Sequence, residues 1–319
     1  MLNYALTVAE QCVRQVYFRS SAVRAWRARR ATPIQPRDLV SSTFLERLEQ
    51  LGIRSGDSLM VHAALSKVRV VDDVIARGVV IEGGLAVANA VLRLLRSAIG
   101  RDGTLLMPTF PKYAGEPEYF SAENNGSQIW RYDPLQTPSK SGLLSEIFRK
   151  QSDTIRSRFP TQSVAAQGPK AVWFTERNLE DGQGLAHGPA SPYGRLVRDR
   201  GHVISLGIPL VDYGTVIHAP EEARFATWPI RNFWRERLYD VVLDDGLRRI
   251  NVWERVPKFS RGYAEERIRR DLRREGVLGE GCVGQLEVHG FRADKLFELF
   301  MKYNASSSYP YYWPAISAL

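Results

Sequence analysis

Ser205-Leu-Gly-Ile-Pro-Leu-Val-Asp-Tyr-Gly-Thr-Val-Ile-His-Ala-Pro-Glu-Glu222 organises the reading of the whole chain. The apolar run His202 to Leu206 reads as a buried strand, a Gly/Pro turn follows, and then a segment carrying polar groups. Pro220 lacks an N–H and fits only the first turn of a helix, so a helix begins here. A helix start beside the carboxyl end of a strand is where open α/β sheets hold ligands. Thr215, His218 and Glu221 stand at i, i+3 and i+6, and neighbours three apart share a helix face. Histidine titrates near neutral pH, and a carboxylate one turn away can fix its tautomer and stabilise its cation. By spacing alone the stretch reads first as a plain helix N-terminus, with two acids on its dipole and a histidine beside them.

Upstream, Leu59-Met-Val-His62 and Thr104-Leu-Leu-Met107 are two more short strands, separated by a helix from Leu85 to Ile99 that stops at Gly100. Two strands joined by a helix form a βαβ unit and predict a parallel sheet. A helix capped by Ser41, Ser42 or Thr43 runs to Gln50, Ser141–Lys150 is a short helix, and Val164-Ala-Ala is a further strand. Phe110 to Lys140 reads as a long polar and aromatic loop, either functional or held on the surface by its own aromatics. Ala186-His-Gly-Pro-Ala-Ser-Pro-Tyr-Gly194 is turn-forming throughout, and His187 reads there as a turn or surface histidine. Downstream, Leu238–Leu243 and Arg249–Trp253 flank Asp244-Asp-Gly246 as a β-hairpin, and Tyr263–Glu275 and Ala293–Tyr303 are helices.

Composition bounds the function. The chain has 319 residues and 44% apolar content, enough for a sizeable core. Cys12 and Cys282 are too few for a disulfide framework or a cysteine-based zinc site, which fits a reducing cytoplasm. No apolar run approaches the ~20 residues of a membrane span. The formal charge of +9 favours anionic partners, but no zinc-finger spacing or aromatic RNA-binding signature accompanies it, so no nucleic-acid partner is expected. Phosphate-loop, nucleophile-elbow and His-Glu-x-x-His patterns are missing, and no metal is expected. Three regions follow: a basic amphipathic helical extension over 1–35, an α/β domain over 36–305 and an aromatic tail over 306–319. The helix of residues 1–31 packs on its own domain, packs on a second subunit as in a homodimer, or lies on the inner membrane surface.

In order, the turns and strands resemble the aminoglycoside 3-N-acetyltransferase (antibiotic N-acetyltransferase) family. The segments are Gly56-Asp-Ser-Leu-Met-Val-His-Ala-Ala-Leu-Ser-Lys-Val68, Gly103-Thr-Leu-Leu-Met-Pro-Thr-Phe110 and Tyr132-Asp-Pro-Leu-Gln-Thr-Pro-Ser-Lys-Ser-Gly142. Ile155-Arg-Ser-Arg-Phe-Pro-Thr-Gln-Ser-Val-Ala-Ala-Gln-Gly168, Gly188-Pro-Ala-Ser-Pro-Tyr-Gly-Arg-Leu196 and Gly214-Thr-Val-Ile-His-Ala-Pro-Glu221 continue the likeness, which covers roughly residues 40–300. The resemblance implies a three-layer α/β/α sandwich around a mainly parallel central sheet, with an added β-hairpin and the N-terminal helical extension. It implies acetyl-CoA as co-substrate, met by Ala64, Leu65, Ser66, Lys67, Thr109, Phe110 and Ser139. The family's Thr-x-x-His-x-x-Glu falls on Thr215, His218 and Glu221, with His218 as general base, Glu221 orienting it and Thr215 or a backbone N–H at the oxyanion. Ala63 and Ala64 replace two family serines, and Phe159 stands where the family has a histidine.

The acceptor is the open part. Aminoglycosides are polycations and call for an acidic pocket, whereas this chain is basic overall. The preferred expectation is therefore an amino sugar of surface polysaccharide biosynthesis. An aminoglycoside antibiotic is the alternative, as is a longer acyl-CoA donor.

Overall fold

A computed structural model describes residues 37–303 apart from 67, 75–77, 116–118, 120–127, 182, 210–213, 257–258 and 260–264, together with Ser20 and Ala22. The expected extension over 1–35, but for those two residues, and the tail over 306–319 lie outside the described residues. The chain begins with β1 (Arg37–Val40), α1 (Ser41–Gln50), β2 (Ser58–Ala63), β3 (Val68–Asp72), β4 (Val79–Ile81), α2 (Gly84–Ile99) and β5 (Thr104–Pro108). It continues with β6 (Trp130–Tyr132), α3 (Leu143–Arg149), β7 (Ile155–Arg156), β8 (Val164–Gln167), α4 (Ala171–Thr175), α5 (Pro192–Arg198) and β9 (His202–Leu206). A 3-10 turn at Thr215–His218 leads into α6 (Ala219–Ala223), followed by β10 (Trp234–Leu243), β11 (Gly246–Arg255), α7 (Glu265–Arg274), β12 (Cys282–Val283), β13 (Leu286–Arg292) and α8 (Ala293–Tyr303).

The α/β class holds, and the central sheet has the order β12-β13-β9-β2-β5-β8-β7. The expectation of a mainly parallel sheet does not hold. Only β9–β2 and β2–β5 pair parallel, while β12–β13, β13–β9, β5–β8 and β7–β8 pair antiparallel. At both ends the sheet is finished by hairpins. Gly284 and Gln285 turn β12 into β13, a link far too short for the crossover that parallel pairing needs.

Alternate residues of the central strands divide between two apolar cores, as the period of a strand requires. Met60, Leu106 and Val203 pack with residues of α4, α5, α7 and α8, whereas Leu59, Leu105 and Ile204 pack with residues of α1, α2 and α3. In α2, Val87, Val91, Leu94 and Leu95 carry the buried stripe, each such side chain contributing about 1.5–3 kcal/mol. A separate sheet, β11-β10-β6, forms the hairpin and its third strand. Leu243 pairs with Gly246, so the turn is Asp244-Asp245, and both strands run further than their apolar residues suggest. The stretch from Phe110 to Lys140 is less of a loop than expected. It supplies β6, parallel to β10, and its Tyr113, Tyr119 and Tyr132 are buried with Tyr239, Val241 and Val252 in a third core.

Arg156 fastens this excursion to the sheet. Buried at the end of β7, it donates to Thr137 O at 2.5 Å, Pro134 O at 3.3 Å and Thr109 Oγ1 at 3.1 Å, and also reaches Thr109 O and lies over the Tyr132 ring. A planar fork can serve several carbonyls that a lysine's point charge cannot. His62 on β2 is a second buried polar group, whose Nε2 has no hydrogen-bond partner.

Two outcomes are expected. Arg156→Ala strands several buried acceptors and should cost about 2–4 kcal/mol in urea unfolding, with Arg156→Lys recovering only part. Burial pushes the His62 imidazole down to about 4, so between about pH 6.5 and pH 4 the unfolded chain binds the extra proton. Stability contributed by His62 is therefore complete above about pH 6.5 and lost as pH falls towards 4, about 3 kcal/mol in all. Thermal unfolding followed across that range should show a shallower acid slope in His62→Gln.

Candidate active site

Parallel pairing aligns the carboxyl ends of β9, β2 and β5, so the segments after them leave from one edge of the sheet. Gly207, directly after β9, has φ +69°, and a Cβ there would stand 2.8 Å from Ala64 O, so only glycine lets these two segments close together.

A cavity of about 800 Å³ opens at this edge. Ala64, Leu65, Ser66 and Phe110 line it, as expected for the donor-binding pieces. Thr109 and Ser139 do not. The Thr109 hydroxyl faces Arg156 and Ser163, and Ser139 Oγ accepts from the backbone N–H of Ser141, whose own hydroxyl accepts from Phe110 N at 2.9 Å. These two residues hold the wall rather than form it. Lys67 lies outside the described residues. Gly83 and Gly84 at the start of α2 also line the cavity, and this helix has neither a side-chain cap nor an acid in its first turn. Free N–H groups at the positive end of a helix dipole suit a phosphate, and Leu65 with Leu144 suits an apolar arm, so these residues fit a CoA-type donor.

Lys140 lines this cavity and also a smaller one of about 110 Å³, which contains His218 and Glu221. The 3-10 turn and the start of α6 bring those two side chains together. His218 Nδ1 lies 3.1 Å from Glu221 Oε2, and Glu221 is fully buried. Nδ1 thus faces that carboxylate, which only accepts, and also the Nη1 of Arg255, which only donates, at 2.7 Å. Arg255, the last residue of β11, sits alongside: its Nη2 is 2.9 Å from Nε2, and its Nη1 is 3.2 Å from Glu221 Oε2. Burial first, then the charge of Arg255, then His187, hold His218 well below the usual histidine range, so it is neutral at neutral pH. Thr215, on the same 3-10 turn, lines neither cavity, and its buried hydroxyl lies by the Tyr193 phenol with no hydrogen-bond partner.

Sequence reasoning missed three residues of this site. Arg255 falls beyond the apolar part of the hairpin. His187 is buried, not a surface or turn histidine: its Nδ1 lies 2.9 Å from Glu222 Oε1, and its ring centroid is 5.2 Å from that of His218. Glu222 is also buried, where a helix-dipole acid would be exposed. The one available signal was Ser191-Pro192. Ser191 Oγ accepts from Gly194 N at 3.1 Å and caps α5, which makes the 186–194 stretch the approach to a helix rather than an open turn.

Among the described residues no helix is long and apolar enough to cross a membrane, and no group of three or more His, Cys, Asp or Glu is set to hold a metal ion.

Known proteins are similar to this chain in sequence and in fold. The family profile described as aminoglycoside 3-N-acetyltransferase matches residues 60–304. Aminoglycoside N(3)-acetyltransferase VII of Streptomyces paromomycinus is 31% identical over 277 residues, covering 80% of this chain and 88% of the relative. Aminoglycoside N(3)-acetyltransferase VIII of Streptomyces fradiae is 32% identical over 268 residues, covering 77% and 85%. The crystal structure of aminoglycoside acetyltransferase AAC(3)-IIb superposes with a TM-score of 0.62 at 26% identity, over 83% of this chain and 96% of that one. A structure of AAC-IIIb in binary complex with CoASH, 22% identical, shares the fold with a TM-score of 0.61 over 83% of this chain and 96% of its own. The chain thus belongs to the aminoglycoside 3-N-acetyltransferase family, CoA-dependent acetyltransferases with acetyl-CoA as co-substrate.

Proposed function

We propose that this protein moves the acetyl group of acetyl-CoA directly to a primary amine of an aminoglycoside, with His218 as general base. The observation that carries the reading is the His218–Glu221 pair in a small cavity that meets the large one at Lys140. The expectation of an amino sugar for surface polysaccharide rests on the basic net charge, the few acids of the 110–140 stretch and the added N-terminal helix and tail, but net charge describes the surface. The small cavity is lined by Glu221, Glu222 and Glu254 together with Lys140, Arg235 and Arg255, and the relatives carry the names of aminoglycoside N(3)-acetyltransferases.

The chemistry follows from the residues. Ala64, Leu65, Ser66 and Phe110 border the donor's arm, and the start of α2 receives its phosphates. Arg255, whose two Nη atoms lie against both ring nitrogens, moves off the imidazole so that Nε2 meets the incoming ammonium, and keeps its ion pair with Glu221. His218 Nε2 then removes a proton, because only the neutral amine has a lone pair for the thioester carbonyl. Glu221 keeps the imidazole in the Nδ1–H tautomer and stabilises the cation that forms. Arg255, displaced but close, is a cationic donor for the developing oxyanion, alongside the Thr215 or backbone N–H expected there.

CoA release against a panel of aminoglycosides and simple amino sugars tests the reading, with butyryl-CoA beside acetyl-CoA to check chain length. Aminoglycosides should turn over and simple amino sugars should not. If only the latter react, the acceptor assignment is wrong. His218→Ala should lower kcat about 10²–10⁴-fold while acetyl-CoA still raises Tm. The neutral imidazole is the active form and its pKa is depressed, so kcat/KM should fall only well below pH ~6.5. Arg255→Met removes the second cause of that depression, so the acid limb should move up towards ~6.5, as a pH–rate profile will read.

A further inference from the structure

The His187–Glu222 pair repeats, beside His218, the chemistry of the first pair. Both oxygens of Glu222 are spent on His187: Oε1 faces Nδ1 at 2.9 Å, and Oε2 accepts the backbone N–H at 2.5 Å. With its Nδ1 proton donated to Glu222, a neutral ring carries its lone pair on Nε2. That Nε2 is buried and has no hydrogen-bond partner, although the ring, only 4% exposed, lines the cavity that holds His218. The Tyr193 ring at 4.6 Å and the His218 ring at 5.2 Å, set at 75°, hold the imidazole in place. A buried acceptor atom without a partner is costly unless a ligand donates to it.

Proton counting supplies the ligand. A sugar amine enters as an ammonium and leaves as an amide N–H, so its nitrogen loses two protons, whereas a single imidazole takes one. We propose that His187 is a second proton acceptor for the substrate amine, acting beside His218; this rests on the acetyl-transfer reading. One imidazole removes a proton from R–NH3+, and the freed lone pair forms the C–N bond as the carbonyl π pair moves to oxygen. The nitrogen, now R–NH2+–C, gives its next proton to the other imidazole. The oxyanion re-forms the carbonyl and the C–S bond breaks. The thiolate takes back one of the two protons and the other passes to water, so ammonium and thioester yield amide, thiol and one proton. A second imidazole gives the second proton an acceptor beside the nitrogen before the thiolate has left.

His187→Ala tests this with the full-length chain and an aminoglycoside that the wild type acetylates. Steady-state kcat should fall at least about 100-fold. The Tm shift with acetyl-CoA should remain. Imidazole added to the buffer should restore turnover, and pyrazole, which has the same shape but is hardly basic, should not. Near-wild-type kcat overturns the proposal. So does a loss that imidazole fails to relieve, or one that both azoles relieve equally, since that marks His187 as packing. If the alanine variant does not bind acetyl-CoA, His187→Asn, which still donates to Glu222 but cannot take a proton, decides instead: a comparable loss supports the proposal and full activity sinks it. Failure of the underlying transfer reading would be seen separately, as a wild type that binds acetyl-CoA and acetylates no acceptor.

Discussion

Parallel pairing of β9, β2 and β5 is the constraint on which the rest of the structure depends. Three strands that point the same way must deliver three exits at one edge, and three segments of the site descend from those exits. The segment after β2 contributes Ala64 to Ser66, that after β5 contributes Phe110, and that after β9 contributes the turn bearing His218. Antiparallel hairpins complete the sheet at its flanks and leave this edge open.

What the edge cannot supply comes from the second sheet. The excursion after β5 builds β6 against β10, and the hairpin carries Arg255 back to the His218–Glu221 pair. Arg156 ties the two bodies of chain together through carbonyls on the loop and the strand end. The site is therefore a seam between a rigid sheet edge and a hairpin. A seam of this kind excludes water from ionisable groups, and burial is the largest cause that depresses His218. Arg255 and Glu221 form an ion pair across it, with the base between them.

Acid–base function and stability pull against each other here. A buried neutral histidine is ready to accept a proton, and the same burial weakens it as a base. Placing Glu221 on Nδ1 offsets this by stabilising the cation once formed. Burying carboxylates beside arginines lets acidic groups exist inside a basic protein, so a charge of +9 says little about what the cavity accepts.

The amino-acid sequence by itself determined the strands at 59–62, 104–107, 164–166 and 202–206, the long helices, the hairpin turn and the His218–Glu221 pair, because each rests on local chemistry: apolar period, a glycine stop, a proline start, a spacing of three. Ser191-Pro192 was equally local, and its helix could have been read. Tertiary structure alone decided the antiparallel flanks, since strand direction depends on which neighbour a chain meets. It also decided the burial of His187 and Glu222, which are 35 residues apart and pair only once α6 packs beside the 186–194 segment. Arg255 likewise looks like one more exposed arginine until a ten-residue strand carries it to the base. Local patterns are written in neighbouring residues, whereas partners distant in sequence are chosen by the packing of the whole chain.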